Sequence, residues 1–335
     1  MVILAGVVAL ATAYVLFLKP NHPTRAKGTE LSFVVASGES TSKIAAKLKS
    51  AGLIDSALIF QFRLLRSGAR GTLKAGTHQL TAGMDYDRLI LALCQSPSAP
   101  AVKVTVPEGS NITQIAAILQ GKLGIPATDF KAYAEAAAPD FTAQYPFLGS
   151  AYNGSLEGYL FPDTYQFSKD VTIPEVCGDM LERFNQVWTS LEPPTAGSWS
   201  TTQLVTIASL VEKEASVPAE RPLVSSVIYN RLQRNMKLQL CSTVQFLLPD
   251  PSKNKLRLTN ADLATPSPYN TYQNAGLPPG PIANPGKAAL QSACKPAKTD
   301  YLYFVLTGKD GSQTFASTSA EFEAAKARSK EVFGE

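Results

Sequence analysis

The chain has 335 residues, 45% hydrophobic content and a formal net charge of +4, which suits two or three domains with a real core. So small a charge gives none of the strongly basic balance of a nucleic-acid-binding protein, though it allows weak attraction to anionic polymers or membrane surfaces. Four cysteines (Cys94, Cys177, Cys241, Cys294) without a CxxC pair do not build a disulfide fold, and with only two histidines, His22 and His78, the C-terminal two-thirds lacks the imidazole that zinc sites, Ser-His-Asp triads and Cys-His dyads use.

Val2 to Leu18 carry no charge and are just long enough to span a bilayer. They predict an uncleaved transmembrane anchor over 1–19, followed by a linker over 20–30. A cleaved signal peptide fits less well, because a basic n-region and a small-x-small site are both missing. Lys19, Arg25 and Lys27 follow the segment, which the positive-inside rule would place in the cytoplasm, although a large domain can translocate regardless. The body of the protein is read as lying outside the cytoplasmic membrane, on the strength of the function argued below.

An internal repeat follows. "VVASGESTSKIAAKL" aligns with "VTVPEGSNITQIAAIL" so that Val35, Gly38, Ile44, Ala45, Ala46 and Leu48 match Val106, Gly109, Ile115, Ala116, Ala117 and Leu119. Each copy reads as a strand, a glycine turn, a polar N-cap cluster and an amphipathic helix. The first small α/β unit is placed at 31–98. A second repeat-like unit with its connector is placed at 99–152, after the hinge-like "SPSAPAV".

A larger region is expected over 153–335. "GSLEGYLFPDTYQF" suggests a strand lining a pocket, and 173–191 a helix of 3.6-residue period. Two helices, "TQLVTIASLVEKEA" and "RPLVSSVIYNRLQRN", are joined by "SVPAE", with Pro222 tolerated in a first turn. A proline-rich loop over 266–285, a buried strand at 301–308, a short hairpin and a closing helix complete it. Strands and helices are segregated rather than alternating, so the expected class is α+β.

The helix ending in "VEKEA" offers two carboxylates. On a wheel of about 100° per residue, Leu204, Ala208, Val211 and Ala215 form one apolar stripe, with Glu212 on one shoulder and Glu214 on the other. Residues two apart do not face each other, so the pair cannot converge on one point. As arbitrary boundary charges, both would be solvated or paired with Arg221 or Arg231. Val205 and Ala208 would partly desolvate Glu212, which suits general-acid use. Loops rich in amide, hydroxyl and aromatic groups ("KLQLCSTV", "SPYNTYQNAGLPPGPIANPG", "LEGYLFPDTY") suit a carbohydrate ligand. Geometry alone leaves the choice between Glu212 and Glu214 open.

At "LEGYLFPDTYQF", "ASLVEKEASVPAERPLVSSVIYNRL", "LQLCSTV", "PYNTYQNAGLPPGPIANPG" and "KPAKTDYLYFV" the chain closely resembles the endolytic murein transglycosylases of the MltG (YceG-like) family. The resemblance implies an N-terminal anchor, LysM-like small units and a catalytic domain over 153–335. It also implies lytic cleavage of the β-1,4 bond between N-acetylmuramic acid and N-acetylglucosamine within peptidoglycan strands. The muramic C6 hydroxyl closes a 1,6-anhydro ring, ending nascent strands beside the peptidoglycan synthases (penicillin-binding proteins) at the cytoplasmic membrane. It maps the catalytic acid and base onto Glu212, with no cofactor or metal. A hydrolase needs two carboxylates; an intramolecular hydroxyl removes the need for the second. Glu157, Tyr159, Asp163, Gln239, Thr243, Tyr269, Asn270, Thr271 and Tyr272 are candidate substrate contacts. Where the family usually has Asp-Pro, this chain has Cys241-Ser242, and whatever that aspartate does must be done differently here. The alternatives are a non-catalytic peptidoglycan-binding scaffold and a two-carboxylate glycoside hydrolase pairing Glu212 with Glu157 or Asp163.

Overall fold

The computed structural model describes residues 20–36, 38–69, 71–95, 101–191, 199–248 and 258–334. The expected anchor at Val2–Leu18 lies outside them; among the described residues no helix is long and apolar enough to cross a membrane. The architecture is mixed α+β, built as two compact units, one reaching to Ala101 with Ser168–Asp170, the other Val102–Phe167 with Val171–Glu335.

The first unit pairs β1 (Glu30–Val35) antiparallel with β2 (Gly76–Thr81) in a register that sets Phe33 opposite His78. Between them run α1 (Thr41–Ser50) and α2 (Ala57–Arg66), and α3 (Tyr86–Cys94) follows. The side chains of Ser40, Ser56 and Asp85 each accept a first-turn N–H, which is why the three helices start where they do. Phe33, Ile44, Leu48, Phe60, Leu64, Leu80 and Leu89 form its core. His78 is buried there between the carbonyl oxygens of Lys74 and Ala92, at 2.8 and 3.2 Å, a structural position.

The second unit opens with the second copy of the repeat. β3 (Val102–Thr105) leads into α4 (Ile112–Leu123), α5 (Ala127–Ala134) and α6 (Ala138–Phe141), and the chain returns through β4 (Thr164–Phe167), antiparallel to β3. Both copies thus run strand, helices, strand. The matching is positional as well: Gly38 and Gly109 both turn with positive φ, 72° and 73°, Ser40 and Asn111 both cap, and Ile44, Ala45 and Leu48 are buried as are Ile115, Ala116 and Leu119. Only glycine takes that φ without cost, so the turn itself is repeated. The expected division at 152/153 falls inside one continuous core. Val104, Ile115 and Leu119 share one core with Leu156, Phe184, Leu204 and Leu290, because α4 alone has no other surface on which to bury its apolar face.

Behind this lie α7 (Ile173–Ser190), α8 (Thr201–Glu214), α9 (Arg221–Gln233), α10 (Cys241–Gln245), α11 (Asn260–Leu263), α12 (Lys287–Cys294), the hairpin β5 (Tyr303–Leu306)–β6 (Gln313–Ala316), and α13 (Ser319–Phe333). α8 starts in a capping box made by Ser200 and Gln203. It is not the one-stripe helix of the wheel: Leu204 through Val211 are all buried, with Thr206 and Ser209 satisfied by carbonyls of their own helix. α8 is therefore the central helix, enclosed from Leu204 to Val211, while Gln203 in its first turn and its last turn reach the surface. The strand expected to be buried at 301–308 is also corrected. β5 is a short, half-buried hairpin strand, having one partner strand rather than a sheet on both sides.

Candidate active site

The last turn of α8 sends its two glutamates to different places. Glu212 is almost enclosed, with 6% of its side chain exposed. Its Oε2 accepts the Gly286 N–H at 2.9 Å and its Oε1 the Arg221 guanidinium at 3.3 Å. Arg221 opens α9 and also stands 4.0 Å from Glu108 Oε2. Burial, then the charge of Glu212, holds the Glu108 carboxyl above the usual range, with Arg221 opposing. A Cβ on Gly286 would fall 2.0 Å from Glu108 Oε1, so any other residue there would push the half-exposed Glu108 carboxyl away from Arg221. Lys213, between the glutamates, donates to Gly109 O at 3.3 Å.

Sequence reasoning missed Glu108. The signal was the repeat itself, since the equivalent position in the first copy is Ser37. A carboxylate in one copy where the other has a small hydroxyl does work that the fold does not require.

Glu214 turns toward α10, where the Ser242 N–H donates to its Oε1 at 3.3 Å. Burial raises its carboxyl, and only the Ser242 hydrogen bonds and the charge of Lys213 oppose this. The C-terminal end of α8 adds partial negative charge, which further favours the protonated form. Glu214 lines a cleft of about 410 Å3. One wall carries Gln239, Cys241 and Tyr272, the other Tyr303, Phe304, Leu306 and Gln313 of the hairpin, with Arg231 from α9 and Phe322 and Lys326 from α13. Gln313 fixes the helix end by donating to Glu214 O at 2.9 Å. Gln239 is left-handed at φ 51°, a conformation that costs energy for a non-glycine residue and is common at binding sites. Cys241 is exposed, its Sγ 3.1 Å from Tyr272 Oη.

The other expected contacts divide. Gln239 and Tyr272 stand on the cleft wall. Glu157 is enclosed instead, its oxygens taking the Ile112 N–H at 3.0 Å and Asn284 Nδ2 at 2.9 Å, and burial pushes its carboxyl up to about 8. Tyr159 is a core residue, its hydroxyl on Thr202 and its ring against Phe147 and Phe184. Asp163 pairs with Arg183 at 2.7 Å; against some burial, the Thr164 N–H and Arg183 hold it below the usual range. Thr243 and Thr271 are buried and hydrogen-bond each other at 2.9 Å. Asn270, also buried, ties Leu263 O, Thr265 O and the Tyr272 N–H. Tyr269 packs on Tyr152 and Phe246. Glu157, Tyr159, Thr243, Asn270 and Thr271, expected as substrate contacts, have their polar atoms engaged inside the fold; those of Thr243, Asn270 and Thr271 hold the loops that carry Gln239 and Tyr272. The segment "GSLEGYLFPDTYQF" is core and turn up to Pro162; Asp163 and the start of β4, Thr164 and Tyr165, then line a separate pocket of about 330 Å3 away from the Glu214 cleft. Among the described residues no group of three or more His, Cys, Asp or Glu gathers as a metal site.

The profile of the YceG-like family matches residues 33–328. A protein of Bacillus subtilis named endolytic murein transglycosylase is 37% identical over 308 residues, covering 89% of this chain and 84% of that protein. A Streptococcus pneumoniae protein of the same name is 33% identical over 86% of this chain, which spans 56% of it. The crystal structure of a yceG-like protein from Listeria monocytogenes superposes with a TM-score of 0.58 at 30% identity, covering 89% of this chain and 99% of that one. With a match over most of its length and an architecture shared with a solved relative, the chain belongs to the YceG-like family.

Proposed function

We propose that the protein is a lytic transglycosylase that cuts the β-1,4 bond between N-acetylmuramic acid and N-acetylglucosamine inside peptidoglycan strands and leaves 1,6-anhydro-muramic ends. The observation that carries the reading is a single carboxyl, Glu214, raised by burial at the wall of a large cleft on the last turn of the central helix. A protonated Glu214 donates to the leaving glycosidic oxygen. The resulting carboxylate, still held by the Ser242 N–H, then takes the proton of the muramic C6 hydroxyl as that oxygen closes on C1. The ring closure is intramolecular, so no second carboxylate has to deliver water. Neither Glu157 nor Asp163 lines the cleft, which removes the support for a two-carboxylate hydrolase.

This reading moves the acid and base from Glu212 to Glu214. What supports the move is hydrogen bonding: both oxygens of Glu212 are engaged, one by the Arg221 guanidinium and one by the Gly286 N–H, whereas Glu214 stands on the cleft wall. Glu212 becomes the positioning residue that ties the 286 loop and Arg221 to the helix end. Digestion of purified peptidoglycan, read by mass spectrometry of the strand ends, tests both points. Glu214→Gln should abolish anhydro ends while the protein stays folded. Glu212→Gln should keep measurable cleavage and lose stability. The reverse pattern would return the role to Glu212, and reducing ends would indicate hydrolysis.

Three further elements belong to the same proposal. Val2–Leu18 would anchor the protein in the cytoplasmic membrane with its body on the outer side, where the substrate lies. The first unit would act as a LysM-like glycan holder, which its strand–helix–helix–strand order supports. Strand ending beside the peptidoglycan synthases would be the physiological task. Cell fractionation with protease accessibility, sacculus binding by the first unit, and co-purification with synthases test them in turn.

A further inference from the structure

The cleft beside Glu214 also holds a cation that nothing in the fold neutralises. Arg231 is 8% exposed and lines the cleft. Its Nε donates to Leu302 O at 2.5 Å, its Nη1 to Lys237 O at 3.1 Å and Leu238 O at 2.8 Å. Its guanidinium lies over the Tyr303 ring, 5.1 Å from the centroid. All three acceptors are neutral carbonyls. Among the described residues no carboxylate pairs with Arg231, and Nη2 has no acceptor. Glu214 lines the same cleft, but its contact is the Ser242 N–H; the other cation of the cleft, Lys326, is paired with Glu323. Burial works against the charged guanidinium. Buried charges are ordinarily paired, since taking an ion out of water without a partner is costly. A planar fork with one free N–H edge opening on a cleft is the arrangement that receives a carboxylate.

We propose that Arg231 recognises a carboxylate on the lactyl–peptide arm of the muramic acid residue whose glycosidic bond lies at Glu214. This rests on the reading of the cleft as the glycan site. The arm leaves the same sugar whose C1 bond is cut, so one cleft with an acid at one place and a cation at another matches one substrate residue. Tyr272 and Tyr303 flank the position and cover its apolar carbons. The carboxylate has two sources: the lactyl group itself on strands stripped of peptide, or the acidic residues of an intact stem peptide.

The test uses the whole protein and three substrates: native strands, strands freed of peptides by an amidase, and native strands whose carboxylates have been converted to amides with carbodiimide and ammonia. Amidation should raise KM at least about tenfold where the stem peptide supplies the carboxylate, the worth of one charge-assisted hydrogen bond, with a smaller change in kcat. Native strands hold the lactyl carboxyl as an amide, so stripped strands should have the lowest KM if the freed lactyl group is the ligand and should share the high KM of amidated strands if the peptide supplies it; either result supports the assignment. Arg231→Lys keeps the charge and loses the fork, and should erase the difference among the three substrates. Equal KM for native, stripped and amidated strands with the wild type overturns the proposal. So does a folded Arg231→Lys protein that loses the same factor on all three. If the folded wild type cuts nothing, the catalytic reading fails instead; co-sedimentation with native and amidated sacculi then decides the role of Arg231, with equal binding counting against it.

Discussion

Glu157 offers a quantitative test of how the core around the site is held. Its oxygens accept from the Ile112 N–H and from Asn284 Nδ2, and burial pushes its carboxyl from the ordinary 4.5 up to about 8. The folded value lies above the unfolded one, so the native state holds a proton that the unfolded chain releases. The stability this contributes is complete below about pH 4.5 and is lost as the pH rises toward 8. Each pH unit inside that window costs about 1.4 kcal/mol. Between pH 5 and pH 7 this one group should therefore remove on the order of 2–3 kcal/mol. Glu157→Gln abolishes the titration. It also sets an amide against Asn284 Nδ2, and Asn284 cannot turn to accommodate it, because its oxygen takes the Leu160 N–H at 2.8 Å and its amide donates to Ser110 O at 2.9 Å. That mismatch costs about 1–3 kcal/mol at any pH. Both tryptophans, Trp188 and Trp199, lie in the second unit, so urea unfolding followed by tryptophan fluorescence reports on this unit alone. At pH 5 the wild type should be the more stable protein; at pH 7 the gap should close or reverse. A gap of the same size at both pH values would mean that Glu157 does not titrate in this window, and the argument from burial would fail.

Arg221→Met should lower unfolding stability by about 3 kcal/mol, since it leaves the enclosed Glu212 carboxylate with one donor; in a Glu212→Gln background the same change should cost clearly less, which a double-mutant cycle reads directly. Gly286→Ala places a Cβ against Glu108 Oε1 and should lower both the melting temperature and the rate of strand cleavage. Adding Glu108→Ala should restore part of each; no restoration would mean that the clash lies elsewhere. Alkylation of exposed Cys241 fills the cleft beside Glu214, so iodoacetamide should block cleavage while Cys241→Ser resists it. Burial raises the thiol, so inactivation should speed up with pH beyond the ordinary thiol range, as measured by residual activity against time.

The helices were legible because their start signals are local. Ser40, Asn111 and Ser200 cap within three residues of themselves, and the repeat announced its glycine turn and its buried Ile-Ala-x-x-Leu pattern. The wheel for α8 misjudged the helix because it ranks side chains by polarity. Thr202, Thr206 and Ser209 are buried despite their hydroxyls, each having a partner. The same ambiguity explains the expected substrate contacts. Thr271, Asn270 and Tyr159 have side chains that serve a sugar or a loop equally well, and only the fold shows that the loop has taken them. Glu108 and Asn284 are 176 residues apart in the chain (284 − 108), and no spacing rule joins them.

The divergence of Glu212 and Glu214 follows from the helix they end. Both sit in the last turn of α8, where unsatisfied carbonyls make a carboxylate unwelcome. Two such charges side by side would weaken the turn unless each met a different remedy. Glu212 meets the strong one, a guanidinium and a backbone N–H, and through them draws α9, the 286 loop and the Glu108 turn onto the helix end. Glu214 meets the weak one, the neutral donors of Ser242, whose N–H stands at 3.3 Å, with no guanidinium. It is thereby left at the cleft as the group most ready to carry a proton. The rigidity that Glu212 provides is what keeps that proton in one place: α8 is buried from Leu204 to Val211, and its exit is held from three segments. Loosening the Glu212 contacts should therefore reduce kcat more than KM, even though Glu212 does not line the cleft.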